Sequence, residues 1–272
     1  MDLELFLLSI KDFIQTSPTD LVALGWFLFC WIGYSLIVDN YVHSSRGLSA
    51  RMYLYRIQWM TNVLSRENRV VDVNIVSSLH QSIAFFASTS ILIIAGILAI
   101  VGASDAALDV IRELPCATQP TLSIWYTKLA LMVILFVYAY FKYTWALRQL
   151  NYANILIGAM PQPKENMDDY IPASRRAAMV LTMSAKHMNR GLRTYYFALG
   201  GIAWLLNPWF FMIATSCIVW IIYRREFKSD IVTVLNMPSE EKILLSEAQF
   251  QSDLKSGKES PEEEKPTDQS GE

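Results

Sequence analysis

The sequence predicts an all-α fold, a polytopic membrane bundle of about four transmembrane helices with amphipathic interfacial helices attached. Three observations carry this. Of 272 residues, 53% are hydrophobic and only 18% charged, with a mean hydropathy of +0.27, greasier than a soluble domain of this length. Uncharged apolar runs of spanning length recur along the chain. Charge is also segregated: residues 239–272 hold ten Asp/Glu against four Lys/Arg, leaving the preceding 238 residues with a net charge of +4.

Residues 1–16 place Leu5, Leu8 and Asp12 on one stripe and Phe6, Ile10, Phe13 and Ile14 near another, ahead of Ser17-Pro18. This reads as an interfacial amphipathic segment. Its acidic start, Asp2 and Glu4, and the lack of a small-residue cleavage site predict no signal-peptide cleavage. Cys30, Cys116 and Cys217 have no paired spacing, so neither a disulfide framework nor a zinc cluster is expected.

A hydrocarbon core of about 30 Å needs roughly 20 helical residues. The run 21–38 is uncharged between Asp20 and Asp39, 83–101 is rich in Ile, Leu and Ala, and 195–223 is uncharged between Arg193 and Arg224. A fourth run, 122–141, carries Lys128, whose stem can bring its ammonium to the interface. The expected spans are therefore 21–38, 83–101, 122–141 and 198–223, within a membrane domain over 19–230.

Lys and Arg set the orientation. Segments 39–82 and 142–194 hold five and eight of them, against Lys11, Arg112, Arg224, Arg225 and Lys228 on the other side. The two long segments are thus expected to be cytoplasmic and both termini outside, with Arg224, Arg225 and Lys228 in conflict with that placement. The last run is the reason for the conflict. As one straight helix its 29 residues would extend about 44 Å and tilt by about 47° to fit. Pro208 removes a ladder hydrogen bond near its middle. A kinked single span is favoured over a hairpin, whose second arm of about 15 residues is short for a crossing; the side of the C-terminal tail stays open.

Both cytoplasmic segments read as basic amphipathic helices. Met52, Tyr55, Trp59 and Val63 keep helical spacing beside Arg51, Arg56 and Arg66, and Ala177, Leu181, Ala185, Met188 and Leu192 do so beside Lys186, Arg190 and Arg193. Residues 239–272 are rich in Glu, Lys, Ser and Pro and predict an acidic disordered tail.

Arg148, Gln149, Asn151, Tyr152, Ile157, Gly158 and Pro161 are followed by Asn189-Arg190-Gly191-Leu192-Arg193, Tyr195, Tyr196, Phe197 and Trp204. After them come Asn207-Pro208-Trp209 and Tyr223-Arg224-Arg225-Glu226-Phe227. Together they resemble the bacterial membrane family catalogued as domain of unknown function 599, over about residues 19–230. The resemblance implies a four-span inner-membrane protein and no particular activity.

No Walker-type loop, Gly-x-Gly-x-x-Gly, His-Glu-x-x-His or Gly-x-Ser-x-Gly occurs, so no motif calls for a cofactor or catalytic residue. Asp39 and His43 share a face if the first helix continues past Val38, and His80 precedes the second span, so a metal or proton-relay site is chemically open. Its plainer alternative is polar residues capping helix ends at headgroups. Asp20 and Lys128 enter from one face and are suited to a structural ion pair. The break at Asn207-Pro208 would expose backbone carbonyls, as transporters do near the midplane. Arg190, Arg193, Arg224 and Arg225 are placed to touch headgroups or a partner.

Two readings follow. One is a non-catalytic scaffold or accessory protein whose basic helices hold anionic headgroups of the bilayer. The other is an oligomeric transporter or channel of small solutes or ions using the broken last helix. A homo-oligomer or a membrane protein partner suits either, and no nucleic acid is expected.

Overall fold

The structure, a computed structural model, describes residues 17–41, 48–114, 117, 118, 120–163 and 168–235. The regular elements among them are all helical. They are α1 (Pro18–Tyr41), α2 (Leu48–Leu64), α3 (Val70–Gly102), α4 (Ser104–Arg112), α5 (Leu122–Gly158), a 3-10 turn (Asp168–Tyr170), α6 (Ile171–Gly200), α7 (Ile202–Leu206), α8 (Pro208–Phe227) and α9 (Asp230–Leu235). The chain divides into two units after Ser229, and α9 belongs to the second. The segment 1–16 and the tail 239–272 lie outside the described residues.

Three helices are long and apolar enough to cross a membrane: α1 over Pro18–Asp39, α3 and α5. Without water to solvate the backbone, each peptide group must be satisfied within its own helix, which these uninterrupted apolar stretches allow. The 33 residues of α3 and 37 of α5 extend about 50 and 55 Å, well past a hydrocarbon core of about 30 Å, so both carry helix beyond it. Outward-facing Phe29, Leu92, Phe141 and Trp209 are each exposed by 63% or more, side chains that suit lipid rather than water.

The long helices α3, α5 and α6 pair in antiparallel register. Along α3 and α5, Phe86 stacks on Tyr143 at 5.7 Å, and just past the far end of α3 Trp125 Nε1 donates at 3.3 Å to Oγ of Ser104, the first residue of α4. At the near end the Arg69 guanidinium donates to the carbonyls of Met160 and Pro161, capping the exit of α5. Along α5 and α6, Ser184 Oγ donates to the Ala146 carbonyl at 2.8 Å, and Gly191 lies against the Tyr143 ring, where an added Cβ would come within 2.7 Å of Cε1. Two cores are strung along these long helices. One joins α2, the first part of α3 and the hairpin of α5 with α6 through Met60, Val76, Tyr143, Leu150 and Leu181. The other gathers Phe27, Trp125, Phe136, Phe197, Trp204 and Phe211. Tyr195 packs against both.

The last apolar run departs from the kinked single span over 198–223 expected from sequence. It folds back as a helical hairpin. Arg225 Nη1 donates to Tyr196 Oη at 3.3 Å, and a Cβ on Gly200 would meet Ile218 Cδ1 at 2.6 Å, so residues before Asn207 lie beside residues well after it. Asn207 leaves the helix at φ −157° and ψ 136°, and its side chain accepts from Trp209 N at 2.9 Å, which starts α8 anew. Pro208 at the first turn of α8 lacks the N–H that continuation would need. The second arm is not short either, because α8 continues through Arg224 and Arg225 to Phe227, 20 residues in all. Those charges are tolerated because they lie at the open end of the hairpin. With α8 running parallel to α1, Phe27 stacks on Phe211 at 5.1 Å and Trp26 Nε1 donates to Ser216 Oγ at 3.2 Å.

Candidate functional site

The hairpin of α6–α7 with α8 has a closed end at Asn207 and an open end near Arg193 and Arg225. Ionisable groups gather at both, with different chemistry.

At the closed end, Lys128 Nζ lies 2.9 Å from Asp20 Oδ1, the two side chains being 0% and 7% exposed. Trp204 Nε1 donates to the same carboxylate oxygen at 2.7 Å. Lys128 also donates to the Trp204 carbonyl at 3.0 Å. That carbonyl is four residues before Pro208, whose missing N–H would otherwise have filled it. Leu206, the last residue before the break, has its carbonyl filled by Thr118, whose N donates at 2.9 Å and Oγ1 at 3.3 Å. Charge and backbone needs are thus met together: one lysine neutralises a buried aspartate and replaces the donor that proline removes. Trp204 stacks on Phe211 at 5.0 Å and closes the cluster on its apolar side.

At the open end, Asp39 near the exit of α1 receives Arg190 Nε at 2.9 Å and Arg193 Nη2 at 2.8 Å, one on each carboxylate oxygen. The level of the two arginines follows from antiparallel packing of α1 on α6, in which Phe27 meets Phe197 and Trp31 Nε1 donates to Thr194 Oγ1 at 3.4 Å. A cavity of about 100 Å³ lies between α1, α6 and α8, lined by Tyr34, Asn189, Arg190, Arg193 and Arg225 among others. Lys186, Asp39 and Glu226 line it too, giving four cationic and two anionic side chains. Tyr34 and Arg193 are each only 7% exposed, yet Tyr34 Oη and Arg193 Nε have no hydrogen-bond partner among the described residues. The cavity adjoins a groove of about 600 Å³ between α2 and α6, and Ser49, Lys186, Asn189, Arg225 and Glu226 line both. Glu226 is held by Ser49 Oγ at 2.8 Å, which ties the end of α8 to the start of α2. Apolar Met52, Leu54, Met179 and Met183 line the groove alongside Arg51 and Arg56.

The remaining residues singled out by sequence fall as follows. Arg224 lies over the Trp220 ring at 5.7 Å, and Arg225 over the Tyr196 ring at 5.8 Å. His43 lies outside the described residues. His80 is half-buried on α3, which packs mainly on α5, whereas Asp39 is on α1, which packs mainly on α8. Both oxygens of Asp39 are engaged by arginines, and among the described residues no three His, Cys, Asp or Glu side chains gather as metal ligands. His187, on α6 beside the Trp145 ring, is held below its ordinary pKa by burial and by the nearby cations Lys142 and Arg190, against an opposing pull from Asp39.

Sequence reasoning misses Tyr34, Asn189, Thr118 and the central part played by Trp204. Signals for two of these exist. Tyr34 shares a buried helical stripe with Ala23, Phe27 and Val38, and Trp204 stands four residues before a proline. Asn189 is marked only as the start of the string Asn189-Arg190-Gly191-Leu192-Arg193, and Thr118 carries no mark.

The family model described as a protein of unknown function, DUF599, matches residues 22–231. No curated protein and no solved structure matches the chain. The chain belongs to the DUF599 family.

Proposed function

We propose that this family member is an integral protein of the bacterial inner membrane, acting as a non-catalytic scaffold or accessory protein whose basic end holds anionic lipid headgroups. The observation that carries the reading is the hairpin at Asn207, which brings Arg224 and Arg225 on α8 to the end where Arg190, Arg193 and Lys186 lie. With the open end cytoplasmic, Arg224, Arg225 and Lys228 join the basic residues of the two long segments, and the positive-inside conflict raised by a single kinked span disappears. The N-terminus is then outside and the end of α8 inside. The arms α6–α7 and α8 complete the membrane layer beside α1, α3 and α5. A homo-oligomer or another membrane protein is the partner that the outward apolar faces suit.

Permeation through the broken helix finds less support. Two of its freed carbonyls, on Trp204 and Leu206, already accept from Lys128 and Thr118 and are not offered to a passing solute. Proteoliposomes containing the purified protein, loaded with indicators for protons and monovalent cations, are expected to show no flux above empty vesicles. A conducting oligomer, sized on a native gel, would replace the scaffold reading with a transport one.

A further inference from the structure

We infer that the cavity between α1, α6 and α8 is a receptor for a phosphate-type oxyanion, and that its occupant is the phosphodiester of an anionic amphiphile whose remainder lies in the adjoining groove. The inference deepens the scaffold reading and rests on it for the source of the ligand.

Four features of the cavity argue for an anion. Its formal balance is positive, since Lys186, Arg190, Arg193 and Arg225 outnumber Asp39 and Glu226. Asp39 is already neutralised by two guanidinium groups, which leaves the charge of Glu226, held by Ser49, against those of Lys186 and Arg225. Two buried polar atoms of lining residues, Tyr34 Oη and Arg193 Nε, have no hydrogen-bond partner among the described residues, and an unsatisfied buried polar group costs about 1–3 kcal/mol. Arginine forks match the paired oxygens of phosphate, which accept such donors with charge-assisted strength.

The adjoining groove argues for an amphiphile rather than a small ion alone. It holds about 600 Å³, and its walls alternate between the cations Arg51, Arg56 and Lys186 and the apolar Met52, Met179 and Met183. Methionines adapt their shape to flexible apolar chains. The order of chemistry, anion receptor first and mixed groove beside it, matches a headgroup with its glycerol and chain. A juxtamembrane basic cluster is also where anionic lipid concentrates.

The test uses the full chain in uncharged maltoside micelles, titrated by calorimetry with dioctanoyl-phosphatidylglycerol, dioctanoyl-phosphatidylcholine and inorganic phosphate. Saturable one-to-one binding of phosphatidylglycerol is expected, at least tenfold tighter than phosphatidylcholine. Tyr34→Phe and Arg225→Gln are each expected to weaken it severalfold, and Arg193→Gln more, provided that variant folds. Inorganic phosphate binding as tightly as the lipid would keep the oxyanion site but overturn the amphiphile as its occupant. Phosphate silent beside a tight lipid assigns the headgroup. Three results overturn the inference: no saturable binding of either anion, phosphatidylcholine binding as tightly as phosphatidylglycerol, or Tyr34→Phe and Arg225→Gln both titrating like the parent protein, which would leave a cavity filled by water. Micelles have no sidedness, so failure here is distinct from failure of the scaffold reading, which turns on flux.

Discussion

Lys128 and Asp20, brought within 2.9 Å by the packing of α1, α5 and α7, form an ion pair whose lysine also fills the Trp204 carbonyl orphaned by Pro208. One side chain therefore serves both the electrostatics and the backbone of the hairpin's closed end. Breaking a buried pair from one side leaves an uncompensated charge, an effect of about 3–5 kcal/mol. Lys128→Met should lower the thermal midpoint of the detergent-solubilised protein sharply, and Asp20→Asn with Lys128→Met should recover much of the loss. A single variant as stable as the parent would show that the pair does not hold this end together.

Asn207 caps α8 through Trp209 N. Asn207→Ala should cost about 1 kcal/mol, the usual worth of an N-cap, whereas Asn207→Asp should retain most of it. The two variants are compared by denaturant unfolding in mixed micelles, and equal losses would contradict the capping role.

The close approach of α5 and α6 at Tyr143 depends on Gly191 having no side chain, since an added Cβ would sit 2.7 Å from the ring. The ring is fully buried and stacked on Phe86, so it has little room to yield. Gly191→Ala is expected to destabilise by about 1–3 kcal/mol through overpacking. Unchanged thermal stability would mean that the helix pair separates freely at this level.

His187 provides a pH test outside the spans. Its folded-state pKa lies below the ordinary 6.5, so the unfolded chain takes up a proton first as pH falls. The stability associated with neutral His187 is present above pH 6.5 and lost as the pH drops through the folded-state value. Thermal midpoints of the parent should therefore decline more than those of His187→Gln on acidification from pH 7. Parallel profiles would remove His187 from the account.

Much of the fold is legible in the sequence because hydrocarbon imposes a simple rule. The runs 21–38, 83–101 and 122–141 are uncharged or nearly so, and each lies within a helix of the structure. Asp20 and Lys128 are also discoverable, as single ionisable groups at the same edge of two such runs. The hairpin is harder to read. Its first arm begins inside α6, behind Arg190 and Arg193, and its second ends beyond Arg224 and Arg225, so the uncharged run understates both arms. Proline at 208 signals a break, but whether the chain bends or reverses is decided by contacts such as Gly200 with Ile218, which are distant in sequence. The cavity at the open end is hidden for the same reason: Tyr34, Arg193 and Arg225 come from three helices, and only the reversal brings Arg225 to the other two.

The reversal at Asn207 is most directly tested by compartment reporters in living cells. A fluorescent protein that matures only in the cytoplasm and an alkaline phosphatase active only outside are each placed after Ser229 and, separately, within the connection 161–170. Matching compartments at the two sites are predicted, both cytoplasmic. Opposite compartments would mean that the polypeptide passes straight through beyond Asn207, and the hairpin would be wrong.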